Sequence, residues 1–151
     1  MKIEVKHMQI EIIEGVPYKY LKQLQTLHAH VFEGAALPLA KLEGKEGLLC
    51  LFMMEDAQMI GFKLGYIHPD RVFYSWLGGV HEGQRGRGIA SKLMIRQHEE
   101  VQKRGFQKVR TYGRNNRKAM LITNIKHDFD IISTFVDAKG RHKIIFEKSL
   151  F

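Results

Sequence analysis

The stretch "GGVHEGQRGRGIASKL", residues 78–93, contains five glycines and two arginines and leads directly into a helical pattern. Ahead of it, "RVFYSWLGGV" is rich in residues that favour β-strands. After it, apolar residues recur on one helix face as far as Gly105, which supplies a C-terminal stop; they are Ile89, Ala90, Leu93, Met94 and Val101. The sequence therefore predicts a strand, a glycine-rich loop and a helix that begins near Gly88.

The predicted loop combines two features that favour anion binding. The N-terminus of a helix presents unpaired backbone N–H groups at the positive end of the helix dipole. Glycines let this backbone close around an anion because they lack side chains and tolerate positive φ, and Arg85 and Arg87 add positive charge. The alternative at this point is a flexible turn whose two arginines face solvent.

Two familiar phosphate-binding motifs are absent from the sequence. A Walker A motif requires Gly-Lys followed by Ser or Thr, but Gly44-Lys45 continues into Glu46. The segment "GRGIAS" has Ser91 at the third glycine of a dinucleotide fingerprint, and Lys108 lies about 20 residues further on, where a ribose-binding acid is expected. These differences exclude a P-loop nucleotidase and argue against a nicotinamide-dependent enzyme.

The remaining segments predict an α+β fold. "MQIEII" (8–13) alternates like a half-buried strand, and "YLKQLQTLHAHVFE" (20–33) carries apolar residues at helical spacing. Further predicted elements are a hairpin of "LLCLFMM" (48–54) and "MIGFKLGYI" (59–67), a strand "FQKVRTYG" (106–113), a short helix "RKAMLITNIKH" (117–127), and a hairpin of "FDIISTFVD" (129–137) and "RHKIIFEKSLF" (141–151). We expect a mixed, mostly antiparallel central sheet flanked by helices.

Length and composition predict one domain over residues 1–151, with 44% hydrophobic and 10% aromatic residues. The single cysteine, Cys50, excludes an internal disulfide and is expected to be buried. The longest apolar run is far short of the roughly 20 residues of a membrane span, so we expect a cytoplasmic protein with no membrane segment. The net charge of +8 favours an anionic partner, which could be nucleic acid, a membrane surface or a phosphorylated small molecule.

The segment Arg85-Gly86-Arg87-Gly88-Ile89-Ala90 fits the pattern Gln/Arg-x-x-Gly-x-Gly/Ala. This pattern marks the pyrophosphate loop of the GNAT N-acetyltransferases, and the chain resembles that family. The longer segment "FYSWLGGVHEGQRGRGIASKLM" (73–94) and the order of elements along nearly the whole chain are also similar to it. The resemblance implies a transferase that moves an acetyl group from acetyl-CoA to an amine by direct attack in a ternary complex.

By position, the resemblance assigns acetyl-CoA to two segments. The pyrophosphate would be held by the backbone N–H groups of Arg85, Gly86, Arg87, Gly88, Ile89 and Ala90. The pantetheine arm would pair with the end of the preceding strand, at Leu77, Gly78, Gly79 and Val80. Gly78 and Gly79 also suit a β-bulge that separates this strand from its neighbour.

Attack by an amine is helped by a base, because a lysine-like amine with a pKa of about 10.4 is mostly protonated at neutral pH. Glu82, just after the strand, is the first candidate, and a salt bridge to a nearby arginine is its alternative role. Glu33, after the first predicted helix, is the second candidate, because the resemblance places the acceptor pocket there.

The predicted helix at residues 117–127 departs from the family pattern. The family's usual general acid is a tyrosine in the motif Asn, six residues, Tyr, four residues, Phe; counting back from Phe129 puts Asn124 at the Tyr position and Arg117 at the Asn position. Asn124 stays a cofactor-binding candidate but cannot donate a proton as an acid, and the neighbouring Asn116 is expected to take over the pantetheine contact. Tyr112 is the candidate substitute acid, with a packed strand tyrosine as the alternative.

Histidines and aromatic residues bear on a metal site and on the acceptor pocket. His28 and His30 are two residues apart on a predicted helix and point in different directions, and no acidic cluster completes a metal site, so we expect no metal. Trp76, Tyr74 and Phe73 either line an acceptor pocket or belong to the core.

Two other functions stay open. The missing tyrosine is compatible with a non-catalytic module that binds or senses acyl-CoA. The net charge and the basic segment "RTYGRNNRKAM" (110–120) are compatible with nucleic-acid binding, although no helix-turn-helix signature supports it. The acceptor amine is not identified by any motif, and a homodimer is compatible with the sequence.

Overall fold

The computed structural model describes residues 7–151. Within this range seven strands form one sheet in the order β1-β2-β3-β4-β5-β7-β6. The strands are β1 (Met8–Glu14), β2 (Leu49–Glu55), β3 (Gln58–Ile67), β4 (Phe73–Val80), β5 (Lys108–Gly113), β6 (Asp130–Val136) and β7 (His142–Ser149). All neighbours pair antiparallel except β4 and β5, which are parallel. The predicted mixed, mostly antiparallel sheet is confirmed.

Four α-helices accompany the sheet in the described part of the chain: α1 (Leu21–Val31), α2 (Leu39–Glu43), α3 (Ile89–Lys103) and α4 (Lys118–Lys126). Single 3-10 turns precede α1 and α3, at Tyr18–Tyr20 and Glu82–Gln84. Helix α3 is the connection that lets β5 lie parallel to β4. The sequence did not predict α2, because a five-residue helix is too short to show a helical period.

Two hydrophobic cores lie on opposite faces of the sheet. The first lies under α1 and α2 and includes Leu24, Leu42, Cys50, Phe52 and Phe62. The second lies under α3 and includes Leu51, Phe73, Ile89, Leu93 and Phe146. Strand β2 is buried on both faces, which explains its unbroken apolar run. Burial raises the pKa of the Cys50 thiol to about 12, so this cysteine is an apolar core residue.

The parallel pair β4 and β5 is short. It consists of Phe73 opposite Val109 and Tyr74 opposite Arg110, and the Thr111 hydroxyl then donates to the Ser75 carbonyl at 2.9 Å. Beyond these residues the two strands no longer pair, so the end of β4 borders an open cleft between them. We call this opening the β4/β5 cleft.

The predicted bulge in β4 lies at a different residue. Leu64 of β3 faces Leu77 and the next residue, Gly65, faces Ser75, so Trp76 is the extra residue. The prediction of a bulge at Gly78 and Gly79 was therefore wrong, because both glycines pair in regular register with Lys63 and Phe62.

Packing explains why residue 79 is a glycine. A Cβ on Gly79 would lie 2.6 Å from a methyl carbon of Val31 in α1. Glycine at this position therefore lets α1 approach the strand closely.

Candidate active site

The loop between β4 and α3 depends on two glycines with left-handed backbone. Gly86 has φ +83° and Gly88 has φ +74°, and a Cβ on either would meet no other atom within 4 Å. A lack of space therefore does not explain glycine at these positions. The backbone conformation explains it, because residues with a Cβ disfavour positive φ. Helix α3 starts directly after Gly88, and no side chain caps it.

Six consecutive backbone N–H groups at this helix start have no protein acceptor within residues 7–151. They belong to residues 86–91, which we call the N–H cradle, and the first helical bond runs from the Lys92 N–H to the Gly88 carbonyl at 3.0 Å. Ile89 is buried in the core under α3 and holds the helix start in place. Unpaired donors at the positive end of a helix dipole form a site for a phosphate-type anion.

The two arginines of the loop have different surroundings. The Arg87 guanidinium contacts the buried carboxylate of Glu55 at the end of β2, with 2.6 Å between Nη2 and Oε2. This contact anchors the loop to the sheet, and it raises the pKa of Arg87. Arg85 is exposed and makes no ion pair within the described residues. The charge of Arg87 is matched by Glu55, whereas Arg85 is the arginine whose charge faces solvent.

A pair of stacked histidines joins this loop to α1. The rings of His30 and His81 lie 4.1 Å apart at an angle of 9°. Nε2 of His30 accepts the Glu82 N–H at 3.1 Å, and Nδ1 of His81 accepts the Gly83 N–H at 3.0 Å. Sequence reasoning missed this pair because the two histidines are 51 positions apart and belong to no motif.

The two candidate bases lie on the surface. Glu82 is exposed in the 3-10 turn before the N–H cradle and makes no ion pair within residues 7–151, so its alternative role as an arginine partner is not observed. Glu33 is exposed just after α1, with φ +53°. The preceding Phe32 ring lies 5.1 Å from the Arg117 guanidinium. This contact brings the end of α1 to the start of α4, across the open end of the sheet.

Aromatic side chains cover the α1-facing side of the sheet beside the cleft. The Tyr112 ring packs against the rings of Tyr74 and Phe135, with 4.9 Å and 5.5 Å between ring centres. Tyr112 is therefore a packed strand tyrosine, which was the alternative to its role as an acid. Tyr66 contacts both Tyr74 and Trp76. Burial raises the pKa of the Tyr74 hydroxyl above its usual value. We call these five side chains the aromatic surface.

Phe73 does not join the aromatic surface. It lies in the core under α3, on the opposite face, so of its two expected roles the structure shows the core one. The ammonium of Lys45 lies 4.8 Å from the ring centres of both Tyr66 and Trp76, a cation–π arrangement.

Helix α4 places the residues that depart from the family pattern. Asn124 is 3% exposed and is the buried residue of this helix, and its carbonyl accepts the Phe129 N–H at 3.0 Å. Asn116 is exposed in the turn before α4. No acidic side chain of α4 stands where a tyrosine hydroxyl was expected, since the helix reads "KAMLITNIK".

Comparison with known proteins gives the family. The model of the "Acetyltransferase (GNAT) family" matches residues 18–121, more than half of the chain. The chain belongs to the acetyltransferase (GNAT) family. The match begins at the 3-10 turn before α1, includes the N–H cradle and ends within α4, before Asn124. The expected class, an acetyl-CoA-dependent N-acetyltransferase, is the activity that this membership supports.

Similar proteins agree with the family. L-2,4-diaminobutyric acid acetyltransferase of Halalkalibacterium halodurans is 38% identical over 47 residues, which are 30% of this chain and 25% of that protein. The chain thus matches only about a quarter of that relative's length.

Solved structures of the family share the fold. An N-acetyltransferase from Staphylococcus aureus has TM-score 0.76 and 17% identity and covers 96% of this chain and 99% of its own. The PaiA N-acetyltransferase from Thermoplasma acidophilum, solved in complex with coenzyme A, has TM-score 0.70 and 14% identity, with 93% and 99% covered.

Two negative observations apply to residues 7–151. No group of three or more histidine, cysteine, aspartate or glutamate side chains is placed to hold a metal ion. None of the described helices combines the length and the apolar character that a membrane span requires.

Proposed function

We propose that this chain transfers an acetyl group from acetyl-CoA to an amine by direct attack in a ternary complex. The observation that carries the proposal is the N–H cradle, placed at the end of the strand that borders the β4/β5 cleft. A diphosphate at the cradle and an extended amide chain along β4 would together occupy both features. Acetyl-CoA contains these two groups in that order.

The residues available at each position fit this donor. The N–H groups of residues 86–91 would bind phosphate oxygens, and the exposed Arg85 would add charge beside them. The free edge of β4, at Leu77, Gly78, Gly79 and Val80, would pair with the amides of the pantetheine arm. Asn116 and Asn124 remain candidates for further contacts from the α4 side. Bound acetyl-CoA supplies the activated thioester.

The acceptor amine would approach from the α1 side of the sheet, where the aromatic surface lies. Aromatic rings favour a cationic or partly apolar amine, as the position of the Lys45 ammonium illustrates. Glu82 and Glu33 are the proposed bases that take the proton from this amine, directly or through water. Tyr112 contributes to the wall of the acceptor site, and because its ring is packed between Tyr74 and Phe135 we do not assign it the acid role.

Isothermal calorimetry with CoA tests the donor site. We expect binding of CoA, and we expect pantetheine, which has the same arm without the pyrophosphate, to bind much more weakly. Equal affinities would contradict the role of the N–H cradle. A screen of amines that follows acceptor-dependent release of the CoA thiol then tests transfer itself.

A non-catalytic acyl-CoA-binding module is the second candidate function, and the buried Asn124 at the expected tyrosine position favours it. Such a module binds CoA as tightly as the enzyme does. It differs in showing no thiol release with any amine in the screen. Nucleic-acid binding, the third function that the charge left open, predicts instead an affinity for DNA or RNA that falls steeply with salt.

Three broader statements belong to the same proposal. We propose that residues 1–151 act as one domain, supported by the single sheet that connects β1 to β7. We propose a cytoplasmic location, where acetyl-CoA is available. A homodimer is supported by the edge strand β6, which exposes Ile131, Ile132, Phe135 and Val136; light scattering would test it.

A further inference from the structure

Lys63 is a partly buried lysine of β3, next to the strand that borders the β4/β5 cleft. It lies in β3 directly opposite Gly78 of β4, on the face of the sheet that α3 covers. A Cβ built on Gly78 would lie 3.6 Å from Lys63 Nζ, so the ammonium lies over the backbone of Gly78. Because Gly78 has no side chain, nothing on that residue separates the ammonium from the border of the cleft.

Basic side chains lie near Lys63, and the carboxylate of Asp128 interacts with one of them, His127. Lys63 interacts electrostatically with His98 of α3 and with His127 at the end of α4, and Lys148 of β7 interacts with the same two histidines. Lys148 Nζ donates to His98 Nδ1 at 3.3 Å, and His127 Nε2 shares a hydrogen bond of 3.0 Å with the Ser91 hydroxyl. Within residues 7–151 Lys63 forms no ion pair. Burial lowers the pKa of Lys63 to about 8.

Two side chains under α3 have buried polar atoms without a partner. Both polar atoms of the Gln97 side chain and Nε2 of His98 are buried without a hydrogen bond in the described structure. Buried polar atoms are almost always hydrogen-bonded, and buried cations are almost always paired. The interior under α3, which interacts electrostatically with Lys63 through His98, is therefore unusually polar.

We propose that the Lys63 ammonium is the proton donor to the thiolate that leaves acetyl-CoA, in place of the tyrosine that is absent at Asn124. The inference rests on the proposed function. As the C–N bond forms and the C–S bond breaks, the sulfur takes the proton of Lys63 Nζ and leaves as a thiol. The acceptor nitrogen loses its proton to the base on the α1 side, and the neutral Lys63 amine regains a proton from solvent.

The two faces of the sheet separate the two proton transfers. The aromatic surface and Glu33 lie towards the α1 side, whereas Lys63 reaches the cleft from the α3 side. The acidity of Lys63 suits its role. A group with a pKa of about 8 is mostly protonated at pH 7, and this pKa is similar to the pKa of about 8.5 of a thiol, so the proton can pass from one to the other. An ordinary exposed lysine would be a far weaker proton donor.

The test titrates the thiol of bound CoA and therefore requires no acceptor. The ultraviolet absorbance of the thiolate is followed with pH for free CoA and for CoA bound to wild type, Lys63→Met and Lys92→Met; Lys92 is an exposed control on α3. We expect wild type and the control to lower the pKa of the bound thiol by about 1 unit or more. We expect Lys63→Met to remove that shift and to keep the affinity for desulfo-CoA within about threefold.

Three outcomes overturn the proposal. Equal thiol pKa values in wild type and Lys63→Met mean that the ammonium does not act on the sulfur. A large and equal loss of affinity for CoA and desulfo-CoA means that Lys63 holds the pantetheine arm instead. Failure of wild type to bind CoA removes the proposed function, and the Lys63 proposal falls with it.

Activity and stability provide second readouts. With an acceptor from the screen, Lys63→Met should lower kcat about 100-fold at pH 7 with a small change in KM for acetyl-CoA. Lys63→Arg keeps the positive charge, but a guanidinium releases its proton poorly. Compared with Lys63→Met, this variant should therefore restore the lowered pKa of the bound thiol but little of the kcat. The melting temperature of Lys63→Met should equal or exceed that of wild type, because a desolvated cation is removed; a lower value together with an unchanged thiol pKa indicates a structural role.

Discussion

Helices α3 and α4 both begin at the β4/β5 cleft, but they build their parts of the site in different ways. Helix α3 has 15 residues, buries one face in the core and presents backbone N–H groups to the cleft. Helix α4 has nine residues, of which Asn124 is buried while Ile122 and Ile125 are more than half exposed. The α3 side depends on backbone geometry, and the α4 side depends on which side chain is present.

This difference explains why one half of the site follows the family pattern and the other does not. A backbone cradle needs glycines at defined positions, so its sequence pattern is strict. A proton donor can be supplied by any acidic group that reaches the sulfur, from any neighbouring element. Loss of the α4 tyrosine is therefore compatible with catalysis if Lys63 supplies the proton.

The largest expected effect is at the α3 side. Replacing both Gly86 and Gly88 by Val should lower CoA affinity at least ~100-fold, because each charge-assisted hydrogen bond contributes roughly 1.5–3 kcal/mol. Calorimetry measures the affinity, and circular dichroism checks that the protein is folded. Gly44→Ala is the control, since Gly44 has a negative φ and lies outside the loop. Retained affinity in the double variant would show that backbone geometry is not what holds the anion.

The second prediction concerns the acceptor side of the site, where the proposed base is a side chain. Glu82→Gln should lower kcat about 100-fold and remove the acidic limb of the pH–rate profile if this carboxylate is the base. Glu33→Gln is the competing variant, and Glu99→Gln on the exposed face of α3 is the control. Normal kinetics for Glu82→Gln with a loss in Glu33→Gln would move the base to the end of α1.

The third prediction concerns the buried face of α3. Burial and the Lys148 charge lower the pKa of His98 to about 3, whereas an unfolded histidine has a pKa of about 6.5. The unfolded state therefore binds more protons below pH 6.5, and stability is lost as the pH falls. We expect the free energy of unfolding to drop by about 2 kcal/mol from pH 7 to pH 5 through this group.

Urea denaturation at several pH values measures this dependence. His98→Leu should flatten it, because leucine does not titrate. The same acid sensitivity in His98→Leu would assign the loss to other groups, among them His28 and His127, whose pKa values burial also lowers.

The smallest expected effect separates the two arginines of the loop. Arg85→Ala should weaken CoA binding about fivefold at low salt and less at high salt, as expected for an exposed charge near the ligand. Arg87→Met should instead lower the melting temperature, because it removes a partner of the buried Glu55 carboxylate. A larger binding loss in Arg87→Met than in Arg85→Ala, with no change in stability, would reverse these assignments.

Much of the fold could be predicted from residue patterns. The apolar run of β2, the alternation of β1 and the helical period of α1 and α3 each mark an element that the structure contains. The bulge was misplaced because two glycines in a strand indicate either a bulge or a close contact, and only the position of Val31 distinguishes them.

By itself, the sequence determined the conformation of the glycine-rich loop between β4 and α3, because the spacing of Gly86 and Gly88 before an apolar helix sets a local backbone geometry. It also determined the order of the strands and of the longer helices, because hydrophobic periodicity is local, whereas the five-residue α2 was too short to be predicted. Only the tertiary structure decided which distant residues meet around β4 and the loop that follows it: His30 with His81, Arg87 with Glu55, and Lys63 over Gly78. These contacts join residues that are far apart in the chain, and sheet register and helix packing bring them together.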